Sequence, residues 1–368
     1  MRVNIDIQAA IAQRAGVGRY TKLLVEHLGA HAGEDHLSMF YFDFKRAGTP
    51  FPVRGAEEKS VRWMPGRVVQ KAWKSTGWPP YNWFAGVADV YHFPNFVRPP
   101  LSRGTSVVTI HDVSFLRFPE TMEEGNFSFL SSQIGQTVER ADAIITDCRF
   151  VADELKVLLN VPEEKLFPIH LGLPRALSAS EKSEVSDVRE KFSLDRPYLI
   201  HVGTIEPRKN HAFLIEVFEQ LSSFDGDLVI AGMKGWKCEP IFERIAASPE
   251  ADRIKYIDYV PENALAPLYT GAEAMVFPSL YEGFGFPPLE AMSCGTPVIA
   301  STAGSLAEVL GKGAVLVEGY DLEEWVNRID EVLRGPDAWI DAGRKRAAEY
   351  DWSTCAARTW DVYRKVGA

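Results

Sequence analysis

Short apolar or β-branched runs alternate with segments of helical spacing along the chain, and the alternation occurs twice. In the first half, RVNIDIQ, LSMFYFDF, ADVYHFP, SVVTIHDV and DAIITD read as strands. Arg19 to Leu28, Phe127 to Arg140 and Val151 to Leu159 carry apolar residues three and four apart, the spacing of one helix face. A turn signal, Gly172-Leu173-Pro174, and a polar segment, Ser178 to Ser186, then read as a linker. The alternation restarts with strands predicted at Tyr198 to Val202, Leu228 to Ala231, Ile254 to Tyr259, Ala274 to Phe277, Pro297 to Ala300 and Ala314 to Val317, and helices such as Ala212 to Leu221 and Leu322 to Leu333. Strand and helix in alternation bury a parallel sheet under helices on both faces. The predicted fold class is therefore α/β with two doubly wound, Rossmann-like domains, residues 1–177 and 187–350.

Composition narrows the function. The chain has 368 residues, beyond the size at which one core usually stops growing, and its 46% hydrophobic content suits a packed globule. A formal charge of −10 excludes a general nucleic-acid binder. The sequence has neither an apolar run of membrane-spanning length nor a signal-peptide core after MRVNIDIQAA, so a cytoplasmic protein is expected. Cys148, Cys238, Cys294 and Cys355 are scattered without a CxxC, which suggests neither a zinc site nor a disulfide framework.

Two strand-to-helix loops carry the candidate chemistry. In YLIHVGTIEPRKNHAFLIEVFEQL the strand ends at Gly203, Arg208 and Lys209 follow, and Asn210 is a candidate N-cap. Adjacent cations at a helix N-terminus suit a diphosphate, although an exposed basic turn would look the same. In SLYEGFGFPPLEAMSCGTPV, Gly283 and Gly285 allow close backbone approach, and Pro287 and Pro288 suit a first helical turn. Glu282 and Glu290 bracket that loop. Carboxylates repel phosphate but hold sugar diols, so one glutamate per ring of a nucleotide sugar is a coherent assignment; a dipole-favouring Glu290 and a solvated Glu282 are the alternative.

Together these segments resemble the retaining glycosyltransferases of the GT-B fold, specifically the large family 4, also called glycosyltransferase group 1. EGFGFPPLE is similar to that family's E-x7-E signature, VGTIEPRKN to its other donor-site motif, and DWSTCAARTWDVYRKV to the C-terminal helix, here residues 351–368, that crosses back to the first domain. The resemblance implies that Glu290 meets the ribose hydroxyls and Glu282 the transferred sugar. It places Gly203, Thr204, Gly283, Phe284, Gly285 and Phe286 beside sugar and diphosphate, with Arg208 and Lys209 on the diphosphate. Many members carry an arginine where this chain has Thr204, which leaves Arg208 and Lys209 to neutralise the leaving group.

In the first domain, His111 and Asp112 end the strand of SVVTIHDVSFL. The resemblance implies that His111 contacts the donor sugar near its reacting carbon; a structural histidine and a turn-forming Asp112 are the alternatives. AGVGRY resembles the family's glycine-rich loop, which places Gly16, Gly18 and Arg19, with Asp112, on the acceptor side. It lacks the third glycine of a dinucleotide fingerprint. Asp225-Gly226-Asp227 is formally a DxD, yet it abuts a strand and reads as a turn, so no metal is expected. From Val61 to Phe84, Arg62, Arg67, Lys71 and Lys74 alternate with Trp63, Trp73, Trp78, Tyr81 and Trp83 without an acid. That pattern fits anionic lipid headgroups, giving a peripheral location at the inner face of the membrane, or a saccharide acceptor, or tryptophans packed into the first domain.

What the resemblance implies is a retaining hexosyltransferase of polysaccharide biosynthesis, without a cofactor, acting on a nucleotide diphosphate sugar. IHDVSF and VGTIEPRKN look most like bacterial mannosyltransferases, so GDP-mannose is the first-choice donor, with UDP-sugars or dTDP-rhamnose open. The expected acceptor is a glycan or lipid-linked oligosaccharide. The alternatives are a non-catalytic nucleotide-sugar binding protein and a GT-B epimerase; no segment resembles the pyridoxal phosphate lysine site of a glycogen-type phosphorylase.

Overall fold

The computed structural model describes residues 1–12, 16–46, 48, 51–173 and 177–367. Pro174 of the turn signal and Ala15 of the glycine-rich loop lie outside the described residues. Two compact units emerge, one of Met1–Val113, Ser128–Gly172 and Asp351–Ala368, the other of Ser114–Phe127 and Leu173–Tyr350.

The first unit is built on seven parallel strands: β1 (Arg2–Asp6), β2 (His36–Phe42), β3 (Ala56–Val61), β4 (Val90–Phe93), β5 (Thr105–Ile110), β6 (Ala143–Thr146) and β7 (Leu166–Pro168). Their spatial order is β3-β2-β1-β4-β5-β6-β7. The five inner strands are those the apolar runs predict. Strands β3 and β7 are not predicted, because they are edges: AEEKSV is polar and mostly part-exposed, and LFP is three residues long.

Helix Val17–His31 buries Tyr20, Leu24 and Leu28 at successive turns, with Thr21 and Val25 beside them. Against it lies Trp352–Gly367, whose Trp360 indole donates to the Leu28 carbonyl at 3.0 Å. Buried His92 lies 2.6 Å from the Tyr363 hydroxyl and 2.8 Å from Thr109 Oγ1, which ties this last helix to β4 and β5.

The second unit has six parallel strands: β8 (Tyr198–Val202), β9 (Asp227–Ala231), β10 (Ile254–Ile257), β11 (Ala274–Phe277), β12 (Val298–Ser301) and β13 (Val315–Val317), ordered β10-β9-β8-β11-β12-β13. All six are predicted, with small shifts at their ends, since strands covered on both faces read as continuous apolar runs. Helix His211–Gln220 buries Leu214, Ile215 and Phe218, and helix Leu322–Arg334 buries Trp325, Ile329 and Val332 in the same core. Each such burial stabilises by about 2 kcal/mol.

The polar segment read as a linker is helical from Lys182 to Lys191. Glu181 and Glu184 form a capping box at its start, and Val188 is its one buried residue, so the helix carries almost no apolar periodicity to read. In each sheet the strand order reverses at one point, between β1 and β4 and between β8 and β11. Open parallel sheets form a crevice beyond the carboxyl ends of the strands at such a point.

Candidate active site

The loops after β8 and β11 stand at the reversal point of the second sheet and are joined by a hydrogen bond from the Leu280 N–H to the Arg208 carbonyl at 2.9 Å. The first runs through Gly203 and Thr204 into a short 3-10 turn, Pro207–Lys209, which delivers both cations. Lys209 Nζ lies 2.6 Å from Glu282 Oε1, and Arg208 Nη1 lies 3.3 Å from Glu282 Oε2. Arg208 also donates from Nη2 to Glu206 Oε1 at 2.6 Å and from Nη1 to the Tyr281 carbonyl at 2.6 Å.

All four charged side chains are largely buried, Arg208 the most exposed at 15%. Burial would raise the Glu282 carboxyl, but Lys209 and Arg208 override it and bring it down to about 2. Two cations and two carboxylates thus cancel. Glu206 is the member that sequence reasoning missed, because an acid two residues before an arginine in a loop reads as a solvated charge.

Asn210 occupies the helix-start position but does not cap it. Its backbone is left-handed, φ 57°, where it also closes the 3-10 turn, and its side chain makes no cap bond. The helix Phe286–Ser293 begins as predicted, with Gly285 left-handed at φ 95° before it and prolines in its first turn. Phe284 is buried, with its ring centroid 5.2 Å from Phe286 and 5.7 Å from Tyr350. Glu290 lies one turn inside that helix, 3% exposed, and accepts from the Tyr269 hydroxyl at 3.1 Å.

Gly304 holds the Glu282 loop from behind. It has φ 65°, and a Cβ placed there would lie 2.4 Å from the Glu282 carbonyl oxygen, while the next residue, Ser305, donates its N–H to that oxygen at 2.9 Å. Gly304 belongs to none of the motifs read from the sequence. Its role depends on a long-range approach that no local pattern signals.

In the first unit, His111 follows β5. Its Nδ1 lies 2.8 Å from Asp147 Oδ2 and its Nε2 3.0 Å from the Pro94 carbonyl. Both neighbours are acceptors, so only the doubly protonated ring satisfies both. Burial disfavours that charge, but Asp147 outweighs it and raises His111 above its ordinary value. Tyr20 meets the ring edge-on at 4.6 Å between centroids. Asp147 comes from the loop after β6, in a stretch with no motif, and was missed. Asp112 is half-buried beside His111. Gly16, with φ 58°, and Gly18 and Arg19 form the start of helix Val17–His31.

Asp225 and Asp227 both pair with Arg196, and among the described residues no group of three or more His, Cys, Asp or Glu side chains could hold a metal ion. All four cysteines are buried. Of the tryptophan-rich segment, Trp63, Trp78 and Trp83 are exposed, whereas Tyr81 is fully buried and Trp73 half-buried on helix Gly66–Thr76. Among the described residues no helix is long and apolar enough to cross a membrane.

Residues 183–349 match the family model of the glycosyl transferases group 1. Over 284 residues the chain is 30% identical to the O-antigen chain mannosyltransferase B of Escherichia coli, covering 75% of this chain and 74% of that protein. The chain belongs to this glycosyltransferase family. Among solved structures, sucrose-phosphate synthase from Thermosynechococcus elongatus matches with a TM-score of 0.77 at 20% identity, covering 99% of this chain and 98% of that one. HepE of Anabaena in complex with UDP-glucose matches with a TM-score of 0.71 at 16% identity, covering 99% of this chain and 100% of HepE. The group 1 glycosyltransferase therefore has the GT-B fold, two Rossmann-like α/β domains, and is related to bacterial mannosyltransferases.

Proposed function

We propose that this glycosyltransferase moves a hexose from a nucleotide diphosphate sugar to a hydroxyl of a glycan or lipid-linked saccharide, with retention at the anomeric carbon. The observation that carries the reading is the buried cluster of Arg208, Lys209 and Glu282 at the carboxyl ends of β8 and β11. Buried cations fixed in place by neighbouring carboxylates and by the Tyr281 carbonyl are preorganised for a second anion, and a departing diphosphate is the one the family's chemistry supplies.

In this reading Glu290 binds the ribose and Glu282 the transferred sugar. The backbone of Gly203, Thr204 and Gly283 to Phe286 approaches the sugar and diphosphate, and Arg208 and Lys209 stabilise the leaving group. The first unit contributes His111 as a contact to the donor sugar and Gly16, Gly18, Arg19 and Asp112 on the acceptor side. The bond from the anomeric carbon to the phosphate oxygen breaks as the acceptor oxygen bonds to the same face. The acceptor proton passes to the leaving phosphate, so no side-chain nucleophile or metal is needed.

GDP-mannose is the first-choice donor, supported by the likeness to an O-antigen mannosyltransferase. UDP-glucose is the second, because HepE binds it in a matching fold. Peripheral contact with an anionic membrane is supported by exposed Trp63, Trp78 and Trp83 beside exposed Arg62, Arg67 and Lys71.

A panel of nucleotide diphosphate sugars in EDTA, scored by thermal stabilisation and slow hydrolysis, tests the reading. Stabilisation by one donor and its free nucleotide, with turnover, is expected. Stabilisation without turnover would favour a binding protein. Release of free nucleotide without an acceptor, together with an epimerised sugar, would favour an epimerase. A strict need for a divalent ion would return Asp225 and Asp227 to the site.

A further inference from the structure

A cavity of about 590 Å³ lies wholly within the first unit. It opens where the strand order of the first sheet reverses, since Asp6 ends β1 with Gln8 just beyond it, and Phe93 ends its neighbour β4 with Pro94 and Asn95 just beyond it. One wall is helix Gly66–Thr76, which brings Gln70, Trp73 and Lys74. The other is helix Glu124–Arg140, which brings Phe129, Gln133, Gln136 and Arg140. Its size is that of a small-molecule site.

The lining offers three kinds of chemistry. Trp73 and Phe129 present ring surface, which suits the apolar face of a sugar. Gln8, Gln70, Gln133 and Gln136 carry both donors and acceptors, which suits hydroxyls. Among the lining residues Lys74, Arg98 and Arg140 face one acid, Asp6, with Asp142 acting on Arg98 from outside the cavity, a local reversal of sign in a chain of formal charge −10. The Arg98 guanidinium is fixed by bonds from Nε to Ser106 Oγ at 2.9 Å and from Nη1 to the Pro99 carbonyl at 3.4 Å. Burial pushes the Asp6 carboxyl up to about 6 against its bonds from the Gln8 N–H and Tyr81, so near neutrality it is still largely ionised and offsets one of the three cations, leaving a net positive lining.

The cavity also adjoins a residue already assigned a role. Pro94 lines it, and the Pro94 carbonyl accepts from His111 Nε2 at 3.0 Å.

Resting on the transferase reading above, we propose that this cavity binds the acceptor and that the acceptor is an anionic saccharide. Its ring lies against Trp73 and Phe129, and its phosphoryl or carboxylate group meets Lys74, Arg98 and Arg140. The site thereby extends the acceptor side beyond the glycine-rich loop, and it gives a binding role to Lys74 and Trp73 of the tryptophan-rich segment.

The test is titration calorimetry of the full chain, saturated with GDP or UDP, against N-acetylglucosamine 1-phosphate, glucuronic acid, neutral N-acetylglucosamine and inorganic phosphate. The nucleotides are titrated alone in parallel. At least one of the anionic sugars is expected to bind about tenfold tighter than the neutral sugar, the scale of one charge-assisted hydrogen bond, and tighter than inorganic phosphate. Preference for the 1-phosphate points to a lipid-linked acceptor, and preference for glucuronic acid to an acidic glycan; either supports the proposal.

The double variant Lys74→Gln, Arg140→Gln changes two exposed side chains. With Arg98 still in place, it should reduce the anionic advantage several-fold and leave binding of the neutral sugar and of the nucleotide unchanged. Equal affinity for charged and neutral sugars in the parent chain, an advantage undiminished in the double variant, or no saccharide binding in a chain that binds nucleotide, overturns the inference alone. Absence of nucleotide binding overturns the transferase reading, and with it the assignment of this cavity to an acceptor.

Discussion

Lys209 Nζ and Glu282 Oε1 lie 2.6 Å apart although 73 residues separate them in sequence. The pair locks the loop after β8 to the loop after β11, and Arg208 reinforces it from the side with 3.3 Å to the same carboxylate. A buried ion pair adds little net stability over an apolar pair of equal volume, yet losing one partner strands the other charge. The arrangement therefore suits a site that must keep two cations ready for an anion.

Glu282→Gln should destabilise the free protein by about 3 kcal/mol, the usual cost of breaking a buried pair. Nucleoside diphosphate affinity should hold or rise, because the anion no longer competes with a carboxylate for Lys209 and Arg208, while turnover falls. Urea denaturation and nucleotide titration on the same variant check this. The carboxyl sits at about 2 in the folded chain against an ordinary 4.5, so its stabilisation is present above 4.5 and is lost as the pH falls toward 2. The acid limb of the stability profile should be shallower in the variant. Unchanged turnover would remove Glu282 from the site.

Asp147→Asn should release His111. With the carboxylate present, His111 is raised above its ordinary 6.5, so its stabilising charge is fully present below 6.5 and is lost as the pH rises through the folded value. Asp112 is the second carboxylate acting on the ring, and its weaker pull does not replace Asp147. Without Asp147, burial dominates, so the ring titration followed by proton NMR should move below 6.5, and stability should lose its dependence on this group above that pH. An unmoved midpoint would show that Asp147 does not set the charge.

Glu290→Ala should weaken nucleoside diphosphate binding about tenfold, the scale of a hydrogen bond to a charged acceptor, and leave inorganic pyrophosphate affinity unchanged. The contrast separates a ribose contact from general loosening of the helix Phe286–Ser293. Equal loss for both ligands would contradict the ribose assignment.

Gly304→Ala should act on Glu282 without touching a ligand. The left-handed backbone and a Cβ 2.4 Å from the Glu282 carbonyl oxygen cannot both be kept, so a loss of about 1–3 kcal/mol in stability is expected, with turnover falling further than nucleotide affinity. Thermal denaturation and steady-state kinetics measure the two effects.

The inner strands of both sheets were legible because burial on both faces forces continuous apolar runs, as in LVIA of β9 and AMVF of β11. The edge β3 and the helix Lys182–Lys191 were not, because AEEKSV and KSEVSDVREK bury little and so carry little pattern. Around the candidate site, the same principle divides the residues. Arg208, Lys209, Glu282 and Glu290 stand out in compact motifs at loop-to-helix junctions. Glu206, Tyr269, Gly304 and Asp147 act through partners that only folding brings near. Asn210 misled because its composition suits a cap, whereas the preceding 3-10 turn claims its backbone for a left-handed bend.

The most direct test of the central claim is proton NMR of GDP-mannose incubated with the protein, following which anomer of mannose appears first. A first-formed α anomer, the configuration of the donor, is the expected result and would establish retention. A first-formed β anomer, or no consumption of GDP-mannose or of any other nucleotide diphosphate hexose, would contradict the account.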